Sequence, residues 1–252
     1  MTRPVPLPDL LQDFEARMLT LEGAAKTVHI AGSGPAVIVL PEMPGISPHV
    51  ARFARWVRDA GFTVYLPSLF GQDGALPDAE EAAGVFKRAC VSAEFHALAG
   101  RGASPVTLWL RALARQAHQE CGGPGTGAIG MCFTGNFALS MMLEPSMLAP
   151  VLSQPSLPMD SQDALESSDD ELDVVRNRLN RDDLTVMAYR FEGDAFCQAK
   201  RGAAYARALG DRFVPRVLSD DAAGAEDLPP FHDAFVKTHH SVMKAHLIGK
   251  DE

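Results

Sequence analysis

Two hydrophobic rhythms alternate along this chain. Short, continuous apolar runs at Pro35-Ala36-Val37-Ile38-Val39-Leu40, Phe62 to Leu66, Ala128-Ile129, Leu148 to Leu152, Leu184 to Phe191 and Arg212 to Leu218 read as strands. The β-branched run before Pro41 has the pattern of a strand covered on both faces, as in a parallel sheet. Between these runs lie stretches with helical spacing. Ser47-Pro48 caps and opens one, with Val50, Phe53, Ala54 and Val57 on one side and Gly61 after it. Ser104-Pro105 opens another with Leu108, Leu110, Leu113 and Ala117, and residues 84–98, Glu171 to Asn180 and Gln198 to Leu209 add three more. At the start, Leu10, Leu11, Phe14 and Met18 predict a helix over Leu7–Met18, and residues 19–22 and 26–30 about Gly23 predict a weak edge hairpin. Such β-α-β succession implies right-handed crossovers and an α/β fold: a doubly wound, mostly parallel sheet flanked by helices on both faces.

Composition narrows the class. A 252-residue chain, 46% hydrophobic, suits one domain spanning 1–252, with no internal repeat or long linker. The acidic segment 160–183 reads as an insertion with a solvated face; no His or Cys accompanies its carboxylates, so no metal is expected there. A net charge of -9 argues against nucleic acid as a partner, and the apolar runs are too short to span a membrane. Cys90, Cys121, Cys132 and Cys197 show no Cys-x-x-Cys spacing, and Met1 to Phe14 lacks the apolar region of a secretory leader. A reduced, cytoplasmic setting is the default expectation, and no cofactor is implied. Gly125-x-Gly127-x-x-Gly130 matches a dinucleotide fingerprint in form only, because its strand lies inside the match instead of before it.

One stretch concentrates the chemistry. Gly130-Met131-Cys132-Phe133-Thr134-Gly135 lies between the Ala128-Ile129 run and the apolar stretch Asn136 to Leu143, in the order strand, sharp turn, helix. The nucleophile elbow of α/β-hydrolases has that order, with small residues flanking the nucleophile. Here the elbow holds Cys, and the second glycine comes one position later than in Gly-x-Ser-x-Gly. The following helix would aim its positive end at the thiol. A buried structural Cys at a strand end fits the same residues.

The remaining candidates come from chain order, which in this fold runs nucleophile, acid, histidine. Phe191-Glu192-Gly193-Asp194 ends the Leu184 strand and puts Asp194 at its carboxyl end, where open sheets carry their catalytic groups. A helix-capping role for Asp194 is the competing reading. His232, His239, His240 and His246 lie beyond the acid; His29, His49, His96 and His118 precede it and read as surface or packing residues.

These stretches, with Val37 to Leu40 running into Pro41-Glu42-Met43-Pro44-Gly45, and with Gly61-Phe62-Thr63-Val64-Tyr65-Leu66-Pro67-Ser68-Leu69-Phe70, resemble the dienelactone hydrolase family of α/β-hydrolases over roughly residues 35–200. The resemblance implies a Cys-His-Asp triad with Cys132 as nucleophile, Asp194 as orienting acid, and Glu42 as partner of the resting thiol. It implies an oxyanion hole from the N–H groups of Met43 and Phe133. His240-Ser241-Val242 resembles the family's histidine motif; His232 and His239 are alternatives. Only twelve residues come after His240 where the family continues into a closing helix, and residues 231–247 as that helix would favour His232. The implied substrate is a small ester or lactone, cleaved through a thioester acyl-enzyme. Phe70, Met131 and Phe196 are candidates for an apolar pocket, although core packing is the commoner role of such residues. Two other readings fit the fold: a non-catalytic small-molecule binding protein, and a thiol redox protein pairing Cys132 with Cys197 or Cys121.

Overall fold

The computed structural model describes residues 9–92, 94–95 and 103–222. Eight strands form one sheet: β1 (Glu15–Leu21), β2 (Ala24–Gly32), β3 (Ala36–Leu40), β4 (Thr63–Pro67), β5 (Thr126–Met131), β6 (Met147–Ser153), β7 (Val186–Phe191) and β8 (Phe213–Leu218). Their spatial order is β1-β2-β4-β3-β5-β6-β7-β8, with β2 antiparallel to both neighbours and every pair from β4 to β8 parallel. Among the described residues six α-helices connect them: α1 (Pro48–Asp59), α2 (Ala79–Val91), α3 (Pro105–Cys121), α4 (Gly135–Ser140), α5 (Asp169–Arg181) and α6 (Ala199–Leu209). This is the mostly parallel α/β sheet that the alternating pattern predicts, in the α/β-hydrolase arrangement that the resemblance implies.

The period of two along β3 sorts the core into layers. Val37 and Val39 pack with Val64, Leu66, Ile129 and Met131 under Val50, Phe53, Ala54 and Val57 of α1. Ile38 and Leu40 face the other way, into a larger layer with Trp109, Leu110 and Leu113 of α3, Phe137 of α4 and Leu172, Val175 and Leu179 of α5. Both Ser-Pro starts hold: Ser47 Oγ accepts from Val50 N at 3.2 Å, and Ser104 Oγ from Thr107 N at 3.4 Å. The acidic run 160–183 is solvated on one side only, because α5 sends three apolar residues into the core.

Three expectations are corrected. Residues 15–21 form a strand, not the end of a helix over Leu7–Met18. Two of the four residues read as a helical stripe, Leu10 and Met18, stand 74% and 66% exposed. The two-residue turn Glu22-Gly23, both at positive φ, closes β1 onto β2 in register from Glu15↔Ile30 to Leu21↔Ala24. Cross-strand pairing therefore outweighs a spacing that helix and strand share over so short a stretch. The second correction concerns α2, which starts at Ala79 and not at residue 84, because Asp78 and Glu81 cap it reciprocally. Third, the helix after the elbow is brief: one 3-10 turn at Cys132–Thr134, then six residues of α4.

Candidate active site

The bend after β5 is shaped by contacts that leave little choice of residue. Cys132 has φ of 55°, a left-handed conformation that costs a non-glycine residue energy and persists only where the surroundings impose it. Gly130 is one cause: a Cβ there would lie 2.3 Å from the Thr134 carbonyl oxygen. Gly135 is another, since its Cβ would meet Pro155 Cα at 2.7 Å. Thr134 Oγ1 accepts from Met131 N at 2.9 Å and lies 3.3 Å from the Leu40 carbonyl oxygen, which ties the bend to the neighbouring strand. The result is a sharp strand-to-helix bend with sulfur at its tip.

Four adjacent parallel strands deliver residues to the same edge of the sheet. The registers Leu40↔Gly130, Met131↔Ser153 and Ser153↔Tyr189 align the carboxyl ends of β3, β5, β6 and β7. Glu42 comes after β3, Cys132 after β5, Ser156 after β6 and Asp194 after β7. Around the thiol, Ser156 Oγ lies 3.5 Å from Sγ, and the Phe133 N–H and the charges of Glu42 and Asp194 act on it.

Burial sets the electrostatics. Cys132 is 3% exposed. Desolvation, first of all, pushes its thiol well above the ordinary range, and the two carboxylates add to this while Ser156 and the Phe133 N–H oppose it. Glu42 is also buried, and that alone raises its carboxyl to about 8. At neutral pH both groups are therefore protonated. The buried site thus holds both acids neutral, and the charge that Glu42 carries once ionised opposes a negative sulfur.

Asp194 takes a dual place. Its Oδ1 accepts from Phe196 N at 2.8 Å and Cys197 N at 2.9 Å, so it does cap the turn leading to α6, as the competing reading held. Its charge still reaches Cys132, and with burial it pushes the Cys197 thiol up to about 12. The candidate bases His232, His239 and His240 lie outside the described residues. Of the earlier histidines, His29 is buried and meets Asp73 at 2.8 Å, a packing role.

The pocket candidates separate. Phe70 and Phe133 pack edge to face at 5.7 Å in an aromatic cluster with Phe95 and Phe137. Met131 belongs to the opposite layer, under α1, and Phe196 stands 41% exposed beside Asp194. Neither joins Phe70 in one pocket. An open cleft of about 820 Å³ runs instead between Pro44-Gly45, Gly71-Gln72, and Val85 and Arg88 of α2. Neither Met43 nor Cys132 is in its wall.

Sequence reasoning missed Ser156. The available signal was position, because Ser153-Gln154-Pro155-Ser156 leaves a parallel strand at its carboxyl end, where such sheets bind ligands.

Comparison with known proteins bears on the whole arrangement. A model of the dienelactone hydrolase family matches residues 21–167. No curated protein matches the chain. Among solved structures, a putative dienelactone hydrolase from Klebsiella pneumoniae is 14% identical, with a TM-score of 0.62 over 94% of this chain and 98% of that one. A dienelactone hydrolase-like promiscuous phosphotriesterase from metagenomic libraries is 18% identical (TM-score 0.57, 94% and 98% covered). An α/β serine hydrolase without lid from Xanthomonas campestris is 10% identical (TM-score 0.56, 95% of each chain). At such identities the structures speak for the fold. No helix among the described residues is long and apolar enough to cross a membrane.

Proposed function

The chain belongs to the dienelactone hydrolase family, and on that premise we propose that it is a single-domain hydrolase of carboxylic ester or lactone bonds, acting through Cys132 as nucleophile. The observation that carries this reading is the elbow. Cys132 is held at a left-handed φ with Ser156 Oγ 3.5 Å from its sulfur, and the charges of Glu42 and Asp194 act on it.

In this reading the base is His240, with His232 and His239 as alternatives, and Asp194 orients it. The imidazole takes the thiol proton, because a thiol this far from its ordinary range supplies almost no thiolate unaided. Sulfur then bonds to the substrate carbonyl carbon. The carbonyl oxygen, now an oxyanion, turns to the N–H groups of Phe133 and Met43; losing one such donor typically costs about 2.7–4 kcal/mol. The alcohol or enol leaves with the imidazolium proton. Water, activated by the freed imidazole, cleaves the thioester and returns the thiol. The cleft lined by Pro44 and Gly45 is the route by which substrate enters, and its arrival rearranges Glu42 and opens the thiol. A dienelactone-type substrate and a reduced, cytoplasmic setting complete the proposal.

Burial of the sulfur favours a second reading, in which the fold binds a small molecule without turnover. The redox reading fares worse, because redox thiols carry lowered pKa values, whereas burial raises those of Cys132 and Cys197. Hydrolysis of p-nitrophenyl acetate under reducing conditions separates these readings. Activity lost in Cys132→Ala, with an acetyl group trapped on Cys132 in the native chain, is the expected result. Absent hydrolysis and absent acetylation would leave the binding reading. A p-nitrophenyl phosphotriester belongs in the same assay, given the structural neighbour named as a phosphotriesterase.

A further inference from the structure

The segment after β6 crosses directly over the elbow. Gln154 turns it at φ 47°, Pro155 packs on Gly135, and the Ser156 N–H donates to the Cys132 carbonyl oxygen at 3.1 Å. Leu157 is buried in the core, and the fully buried guanidinium of Arg201 donates to the carbonyls of Pro158 and Ala164. Ser156 is thus pinned from both sides. It is 3% exposed, and its hydroxyl faces Cys132 Sγ at 3.5 Å.

The groups that act on the sulfur come from four elements. Glu42 after β3 and Asp194 after β7 are acids that oppose a negative sulfur. Two groups favour one: the Phe133 N–H on the elbow, and the Ser156 hydroxyl after β6, which lies within hydrogen-bond reach of it. In acyl transfer the Phe133 N–H is claimed by the developing oxyanion. At that moment Ser156 is the donor left to the sulfur among the described residues.

We propose that Ser156 is a further catalytic residue, whose hydroxyl hydrogen-bonds the Cys132 thiolate whenever sulfur carries charge. This rests on the reading of Cys132 as nucleophile. While the thiol is protonated, the hydroxyl accepts from S–H. When the thiol proton passes to the imidazole, the hydroxyl rotates and donates to sulfur, keeping its own proton throughout. Formation of the S–C bond consumes the sulfur lone pair and releases the hydroxyl. Cleavage of the thioester by water returns the electron pair to sulfur, and the hydroxyl donates again until the imidazolium reprotonates the thiol.

The test is alkylation by iodoacetamide measured across pH 6 to 10 at the Cys132 peptide by mass spectrometry, in the full chain and in Ser156→Ala. A hydrogen bond to a charged group is worth enough to move a titration by about one unit. Ser156→Ala should therefore slow Cys132 alkylation roughly tenfold near neutral pH and shift its profile upward, with Cys90 alkylated as before. An unshifted profile overturns the proposal even if hydrolysis falls, because a purely structural role would lower turnover without moving it. Ser156→Gly is read in the same way should the alanine variant fold poorly. Hydrolysis that survives in Cys132→Ala overturns the nucleophile reading instead, and the alkylation profile distinguishes that failure from this one.

Discussion

At the scale of single residues, the site is governed by how little water reaches it. A carboxyl with no bulk solvent loses more by ionising than it gains, so burial holds Glu42 protonated up to about pH 8. The neighbouring thiol is raised for the same reason, with the carboxylates adding to it. This yields a prediction with a sign. Glu42→Gln should leave Cys132 alkylation unchanged at pH 7, where both side chains are neutral. Above about pH 8 the native carboxylate forms beside the sulfur, and there the variant should react several-fold faster. Equal rates across the whole range would show that Glu42 does not act on the thiol. The positions of Cys132 and Asp194 at strand ends were readable from sequence, but the protonation states of Glu42 and the thiol were not. Burial is the sum of packing from segments far apart in the chain.

At the scale of elements, two devices hold the elbow and the turn between α4 and β6. Gly130 faces the Thr134 carbonyl oxygen so closely that Gly130→Ala must displace backbone, and α4 with it. Circular dichroism and gel filtration should find this variant misfolded or strongly destabilised, while Gly202→Ala, with nothing within 4 Å of the added carbon, should be benign. Arg178 is the second device. From α5 its buried guanidinium donates to the carbonyls of Met142, Glu144, Pro145 and Met147, closing that turn. Arg178→Met strips those carbonyls of their donor and should cost at least about 3 kcal/mol in urea denaturation. Helix starts with Ser-Pro were legible because the cap and the fixed φ of proline are local. The first strand was not, because its partner across the hairpin decides its state.

At the scale of the whole molecule, buried and paired carboxyls pull stability in opposite directions with pH. Glu42 keeps its proton in the fold up to about 8, whereas in the unfolded chain it releases it near 4.5. Stability from this group is therefore full below 4.5 and is lost as pH rises toward 8. Glu120, paired with Arg17, is held down to about 2, so its contribution is present above the ordinary carboxylate range and is lost as pH falls toward 2. Melting temperature should peak in mildly acidic solution, about pH 5. Glu42→Gln should flatten the alkaline fall, and an unchanged slope would refute the assignment. The sequence by itself determined the alternation of strands and helices, the parallel sheet and the elbow at Cys132, because hydrophobic period, caps and glycines act within a few residues. Only the tertiary structure decided that Glu42, Cys132, Ser156 and Asp194 share one edge of the sheet, since that depends on strand order and register. Both are set by packing among elements whose mutual contacts no local pattern records.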